Sequence, residues 1–213
     1  MNAKRSTGPS HAIRADQRLI AAMVEPGSRV LDVGCGNGEL LELLTREKNI
    51  DGRGIEIEQD RVNAAVARGL SVIHGDAEAD LIDYPNSAFD YVILGQTLPE
   101  VRNPRDVLSE LLRIGAHAIV SIPNFGHWRH RLHLLLTGEV PSVGFVNARW
   151  YTNPNIHPCT IRDFVDLCEE IGVVVERSVL LGQRGRASRF LGSGWIANLF
   201  GEQAIFLLST RAR

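Results

Sequence analysis

The stretch Val30-Leu31-Asp32-Val33-Gly34-Cys35-Gly36-Asn37-Gly38 decides the fold class of this 213-residue chain. It has the pattern of a buried strand that ends in an acid and a glycine-rich turn, and residues 39–44 then have the pattern of a helix. Glycines at alternate positions remove every Cβ where a ligand's polar tail can approach the backbone. A dinucleotide-binding turn, G-x-G-x-x-G, would need a glycine where this chain has Glu39. The spacing therefore differs from that of a dinucleotide-binding turn.

Two further acids stand at the ends of predicted strands. Glu56 closes a strand predicted over 52–57, at the distance from the glycine turn where a Rossmann-like fold holds a ribose. Asp76 stands at the carboxyl end of the next predicted strand. Either acid alone is as well explained by a helix cap or a solvated turn. Their order at successive strand ends predicts one nucleoside site along a single edge of a parallel sheet.

Asp32, the Gly-x-Gly-x-Gly turn, Glu56 and Asp76 together resemble the class I S-adenosylmethionine (SAM) methyltransferases. The resemblance implies an α/β, Rossmann-like fold, in which a mostly parallel seven-stranded sheet carries a closing antiparallel hairpin and helices on both faces. It also implies SAM or S-adenosylhomocysteine (SAH) as cofactor, with Glu56 at the ribose and Asp76 beside the adenine amino group. The candidate cofactor-binding residues are Asp32, Gly34, Cys35, Gly36, Gly38, Glu56, Ile57, Asp76, Ala77 and Gln96.

Strands and helices are expected to alternate through the first part of the chain, which predicts a parallel sheet. Residues 1–12 are expected to be flexible, and a helix over 16–25 is expected to lie across the mouth of the cofactor site. The alternating elements are predicted at 29–33, 37–47, 52–57, 59–68, 71–75, 89–95, 104–113 and 116–122.

The second part of the chain departs from this alternation. Residues 13–213 are expected to form one domain, in which 124–160 is an insertion over the cofactor edge, with a helix at 126–136. Thr160 is a plausible N-cap for a helix over 161–171, and strands at 173–181 and 202–210 would form the closing hairpin. The connection at 183–201 is long for a hairpin. Its basic and aromatic residues are Arg184, Arg186, Arg189, Phe190, Trp195 and Phe200.

The composition indicates a globular protein, with 44% hydrophobic residues and a formal net charge of −2. That charge argues against a general nucleic-acid binder, and no apolar run reaches the roughly 18 residues of a membrane span. The first ten residues lack the apolar core of a signal peptide. Cys35, Cys159 and Cys168 have no C-x-x-C spacing, which favours reduced thiols over disulfides or zinc. We expect a cytoplasmic protein that binds no membrane, nucleic acid or metal.

The sequence shows no clear pair of nucleophile and base. Gln96 and Thr97 follow the fourth strand, where they could hydrogen-bond adenosine or an acceptor, and Glu100 is either a base or a solvated acid at a helix start. The histidines of 127–133 have metal-ligand spacing, but a solvated or partner-facing basic helix explains them better. His157 lies in the insertion, where it is either structural or in contact with a substrate or partner. Cys35 is better explained as a small space-filler than as a reactive thiol.

Four segments resemble the MetW family of methionine biosynthesis proteins: 26–32, 95–98, 121–128 and 150–163. The resemblance covers about residues 12 to 210. It implies a cytoplasmic bacterial protein that works with homoserine O-acetyltransferase (MetX), and a methyltransferase fold without an assigned methyl acceptor. Within it, the SAM-motif positions are matched by Asp32, Gly34, Gly36, Gly38, Glu56 and Asp76.

Three functions remain open at this point. The first is a partner protein that binds MetX, supports homoserine acylation and uses SAM occupancy to sense the end product of the pathway. The second is a SAM-dependent methyltransferase that acts on a small molecule. The third is an RNA-modifying methyltransferase, favoured by the arginines of 184–189 but opposed by the acidic balance of the chain.

Overall fold

A single mixed sheet organises the structure, a computed structural model that describes residues 13–141, 150, 151, 153, 155–182, 187–189 and 194–210. Its strand order is β3-β2-β1-β4-β5-β8-β6-β7. The strands are Arg29–Val33 (β1), Asp51–Glu56 (β2), Ser71–His74 (β3), Phe89–Gly95 (β4), Gly115–Pro123 (β5), Val173–Leu181 (β6), Ala187–Arg189 (β7) and Gln203–Thr210 (β8). Strands β1 to β5 are parallel to one another, whereas β8 is antiparallel to both β5 and β6.

Eight α-helices lie in the described part of the chain. They are Ala15–Ala21 (α1), Glu39–Lys48 (α2), Gln59–Ala67 (α3), Ala77–Asp80 (α4), Pro104–Ile114 (α5), Trp128–Thr137 (α6), Ile161–Glu170 (α7) and Trp195–Phe200 (α8). Short 3₁₀ turns occupy Leu81–Asp83 and Leu98–Glu100. Thr160 caps α7 as predicted, since its Oγ1 accepts a hydrogen bond from the amide of Asp163 at 3.2 Å.

Two hydrophobic layers cover the sheet, because successive residues of a strand point to opposite faces. Ile93 packs into the layer that contains α1, α2 and α3, whereas its neighbour Leu94 packs into the layer that contains α5 and α7. Ile119 and Val120 divide in the same way on β5. The predicted Rossmann-like sheet with helices on both faces is therefore confirmed.

The predicted count of seven strands is wrong, because eight strands form the sheet among the described residues. The extra strand β7 pairs antiparallel with β6 and lies within the long connection at 183–201. Helix α8 occupies another part of it. The predictions for residues 1–12, Arg184, Arg186, Phe190 and the Arg189 side chain lie outside the described parts of the chain.

The carboxyl ends of five parallel strands meet at one edge of the sheet, and this positions the site. The glycine turn follows β1, and the residues after β2 and β3 lie beside it. Helix α1, which precedes β1 in the chain, also lies over this edge. The last described part of the insertion approaches it as well, since the amide of His157 donates to the carbonyl of Pro99 at 2.9 Å.

Candidate functional site

The glycine turn has a backbone that other residues adopt only with strain. Gly34, Gly36 and Gly38 have φ values of +71°, +57° and +80°. A Cβ on Gly34 would lie 2.7 Å from Oγ1 of Thr97, in the loop after β4. Glycine is therefore needed at this position both for the left-handed conformation and for the close approach of two loops.

Glu56 fixes this turn to the end of β2. Its side chain is 3% exposed, and Oε2 accepts a hydrogen bond from the Gly36 amide at 2.7 Å. Its other oxygen accepts from the Glu58 amide at 3.0 Å, just before α3. One buried carboxylate thus holds the glycine turn and the start of a helix in a fixed relation.

A cavity of about 350 Å³ opens between the turn, α1 and the loop after β4. Four carboxylates and two guanidinium groups line it, so its described wall favours a cationic ligand. Its lining residues are Arg14, Gln17, Ile20, Asp32, Gly34, Cys35, Gly36, Glu39, Leu40, Glu58, Arg61, Gly95, Gln96, Thr97, Glu100, Pro123 and Asn155.

Asp32 is the most unusual acid of this wall. It is 3% exposed, and no described residue donates a hydrogen bond to its carboxylate. Burial raises its pKa from 3.8 to about 7, with a smaller rise from Glu56, while the charge of Arg14 lowers it. A buried carboxylate that faces a cavity, and to which no described residue donates, is well suited to accept a ligand's cationic group.

Helix α1 contributes a polar cluster that we did not expect from the sequence. Asp16 is fully buried, and its carboxylate pairs with the Arg14 guanidinium through contacts of 3.0 and 3.1 Å. It also accepts from Nε2 of Gln96 at 3.2 Å and Nε2 of Gln203 at 3.4 Å. A signal was present, because Asp16 stands four residues before the buried Ile20 and so shares its helix face. A charge on the buried face of a helix indicates a site.

The predicted cofactor residues fall into two groups. Five of them line the cavity: Asp32, Gly34, Cys35, Gly36 and Gln96. The other five, Gly38, Glu56, Ile57, Asp76 and Ala77, surround the same edge of the sheet without lining the cavity. Ile57 is 59% exposed there, and the Asp76 carboxylate accepts from the Glu78 amide at 2.9 Å as the N-cap of α4.

The remaining candidates for chemistry are also placed by the structure. Glu100 lines the cavity from an exposed position, and partial burial raises its pKa. His157 is exposed, and its Nε2 lies 3.1 Å from the carbonyl of Arg102. It does not line this cavity.

The thiols and histidines give no sign of nucleophilic or metal chemistry in the described ranges. Burial raises the pKa of Cys35, and it raises that of Cys168 to about 12, so both thiols are neutral at physiological pH. Nδ1 of His127 accepts a hydrogen bond from the Arg129 amide at 3.3 Å, which caps α6. No three His, Cys, Asp or Glu side chains among the described residues are grouped as metal ligands.

Comparison with known proteins identifies the family. The family model described as "Methionine biosynthesis protein MetW" matches residues 14–208. The chain belongs to the MetW family. The family resemblance expected from the sequence is thereby confirmed, over nearly all of the described residues.

A curated relative joins this family to a second protein. The "Bifunctional methionine biosynthesis protein MetXA/MetW" of Rhodopirellula baltica is 36% identical to the chain over 176 residues. The match covers 78% of this chain but only 28% of the relative. This chain therefore spans less than a third of the length of that relative.

Solved structures share the fold at low sequence identity. A SAM-dependent methyltransferase from Thermotoga maritima has a TM-score of 0.66 and 18% identity, with 92% of this chain and 87% of that chain covered. The [4+2]-cyclase SpnF has a TM-score of 0.65 and 20% identity, with coverages of 92% and 81%. The class I methyltransferase fold is thus confirmed. Because SpnF is described as a [4+2]-cyclase, this fold does not by itself establish methyl transfer. Among the described residues, no helix has the length and apolar character needed to span a membrane.

Proposed function

We propose that the chain binds SAM or SAH in the cavity at the carboxyl edge of the sheet, and that it acts with MetX in methionine biosynthesis. The buried Asp32 carboxylate, which no described residue hydrogen-bonds, is the observation that carries the cofactor assignment. Burying such a group costs free energy, and a ligand that brings a cation to it offsets that cost.

The parts of SAM correspond to the chemistry of the wall. Asp32 would take the ammonium group of the methionine moiety, and Arg14 would take its carboxylate, since the two side chains line the cavity with opposite charges. Because Gly34 and Gly36 have no Cβ, the amino-acid end of the ligand can come close to their backbone amides. The excess of carboxylates in the wall suits the sulfonium, so SAM should bind more tightly than SAH at low ionic strength.

The nucleoside end of the ligand would extend from the glycine turn to Glu56, at the end of β2. That carboxylate holds Gly36 and Glu58, and a carboxylate oxygen can accept more than one hydrogen bond, so vicinal ribose hydroxyls can share it. The exposed Ile57 offers an apolar surface for the adenine ring, with Asp76 and Ala77 at the next strand end.

Calorimetric titration of SAM and SAH into the full chain tests this assignment. The Asp32→Asn variant should lose at least tenfold in affinity, because it removes the charge but keeps the shape of the side chain. Asp83→Asn, at an exposed position outside the cavity wall, is the matched control and should bind as the wild type does. Equal affinity of Asp32→Asn and wild type would contradict the assignment.

The partnership with MetX is supported by the bifunctional relative. Two proteins joined in one chain are at high effective concentration with respect to each other, which is useful when their functions are coupled. SAM is made from methionine, so cofactor occupancy in a MetX partner would report the end product of the pathway.

The decisive assay is the rate of homoserine acetylation by the cognate MetX, with and without this protein, each with and without SAM. We expect the protein to raise the rate and to shift the elution volume of MetX, and we expect SAM to change the size of the effect. The Asp32→Asn variant should keep the association and lose the SAM response. An unchanged rate and elution volume in all conditions would refute the partnership.

A further inference from the structure

A second cavity of about 220 Å³ borders the cofactor cavity on the side of the insertion. The two cavities share Pro123, at the end of β5, and Asn155 as wall residues. The described lining of the second cavity is Pro99, Pro123, Phe125, Val140, Pro141, Trp150, Asn153, Asn155, Pro158 and Cys159. A molecule in this cavity therefore lies next to whatever occupies the first.

The floor of this second cavity is held in place by surrounding contacts. The amide of Phe125 donates to the carbonyl of Cys159 at 3.0 Å, and the Phe125 ring stacks on His130 with centroids 6.3 Å apart. Pro99 is buried, and its carbonyl accepts from the His157 amide at 2.9 Å. Contacts within the protein thus hold this floor in position, as is usual for the walls of small-molecule cavities.

The described wall of the second cavity is uncharged, whereas that of the first carries several charged groups. Among its described lining residues, no side chain is a carboxylate, a guanidinium or an ammonium group. Four of them are prolines, which have no amide hydrogen to donate. Burial raises the pKa of the Cys159 thiol to about 12, so that side chain is neutral as well. The polar side-chain groups that remain in the described wall are the amides of Asn153 and Asn155 and the indole N–H of Trp150.

We propose that this cavity binds a neutral, mostly apolar small molecule, such as a substituted single aromatic ring, with one or two uncharged polar atoms. An apolar cavity of about 150 Å³ already holds benzene, so 220 Å³ leaves room for a ring and a short substituent. Amino acids such as homoserine fit the described wall poorly, because it offers no charged partner for their two charges, which would lose hydration there. The placement of this ligand against the cofactor rests on the proposed function, whereas its binding does not.

Fluorine NMR titration of the full chain with three matched probes tests the proposal. The probes are 4-fluorobenzyl alcohol, which is neutral, 4-fluorobenzylamine, a cation, and 4-fluorobenzoate, an anion. We expect saturable millimolar binding of the alcohol, the range of a fragment-sized ligand, and at least tenfold weaker binding of both ions. Similar binding of all three probes, or no binding of the alcohol, would overturn the proposal.

Two exposed tryptophans provide a matched pair of variants. Trp150 is 77% exposed and lines the cavity mouth, whereas Trp195 is 72% exposed and lies outside its lining, so neither replacement should unfold the chain. Trp150→Ala should weaken alcohol binding at least fivefold, and Trp195→Ala should leave it unchanged. Val140→Asp, also at an exposed position of the lining, should reverse the preference from the alcohol to the amine. Equal effects of the two tryptophan replacements would place the probe elsewhere.

Saturation with SAH separates this proposal from the proposed function. If the cavities adjoin as described, SAH should shift the fluorine resonance of the bound alcohol or change its affinity at least twofold. Probe binding without any SAH binding would refute the cofactor assignment alone. SAH binding without probe binding would refute only the proposed ligand of the second cavity. Binding of each without any effect on the other would refute the proposed contact between the two ligands.

Discussion

Replacement of Asp32 by Asn should stabilise the ligand-free protein while it weakens cofactor binding. Burial raises the pKa of this carboxyl from 3.8 to about 7, so the folded state holds its proton more tightly than the unfolded chain does. Its contribution to stability is therefore fully present below pH 4 and is lost as the pH rises through 7. One pKa unit corresponds to about 1.4 kcal/mol, so above pH 7 the ionised group costs the folded protein about 4 kcal/mol.

Urea unfolding of the ligand-free proteins between pH 4.5 and 8.5 measures this cost. The free energy of unfolding of Asp32→Asn, minus that of the wild type, should grow by about 1.4 kcal/mol per pH unit up to pH 7 and then level off. The slope is the diagnostic quantity, because a constant offset would include the hydrogen bonding of the new amide. The exposed Asp83→Asn variant controls for the general loss of one negative charge.

A difference between Asp32→Asn and wild type that stays constant with pH would refute this reasoning. So would a wild type that becomes relatively more stable as the pH rises. Saturating SAH gives a further check, since a ligand ammonium beside the carboxylate would stabilise its charged form. In SAH, the advantage of the variant above pH 7 should therefore shrink.

Three further predictions concern the site and its surroundings. A cation beside Asp32 favours its charged form, so the affinity of the wild type for SAH should fall as the pH drops from 7.5 to 5.5, by up to about tenfold per pH unit. Calorimetry over that pH range should show no such fall for Asp32→Asn. Gly34→Ala should cost on the order of 2 kcal/mol of unfolding free energy and weaken SAH binding, because it adds strain and a Cβ 2.7 Å from Thr97 Oγ1. Gly27→Ala has a similar φ with open space around it, so a loss as large as that of Gly34→Ala would show that the contact with Thr97 is unimportant. Thr160→Ala should lower the unfolding free energy by about 1 kcal/mol through loss of the α7 cap, and any change in SAH affinity would contradict its purely structural role.

The sequence was sufficient for those parts of the site that depend on neighbouring residues. The glycine turn after β1 has a local signature, because a left-handed backbone and a following helix need particular residues at fixed spacing. Glu56 was predicted as a site residue from its place at a strand end, and the structure places it beside the glycine turn. Its contact with the Gly36 amide could not be predicted, because it depends on how the turn folds over β2.

The parts that could not be predicted depend on contacts between distant segments. The Asp16 carboxylate meets Gln203 only because β8 lies between β5 and β6. The second cavity likewise combines the 3₁₀ turn after β4 and the end of β5 with the insertion, and no single segment carries its pattern. Strand β7 has only three residues, too few for an alternating pattern to be distinguished from a loop.

The pairing of Asp16 with Gln203 also has a consequence for the order in which the molecule is made. These residues are 187 positions apart, so α1 leaves the ribosome long before the strand that helps to fix it. A nascent chain that ends before β8 already contains the glycine turn, but it lacks one of the side chains that anchor the helix over it. The position of α1 over the candidate cavity is therefore fully fixed only after β8 has been translated.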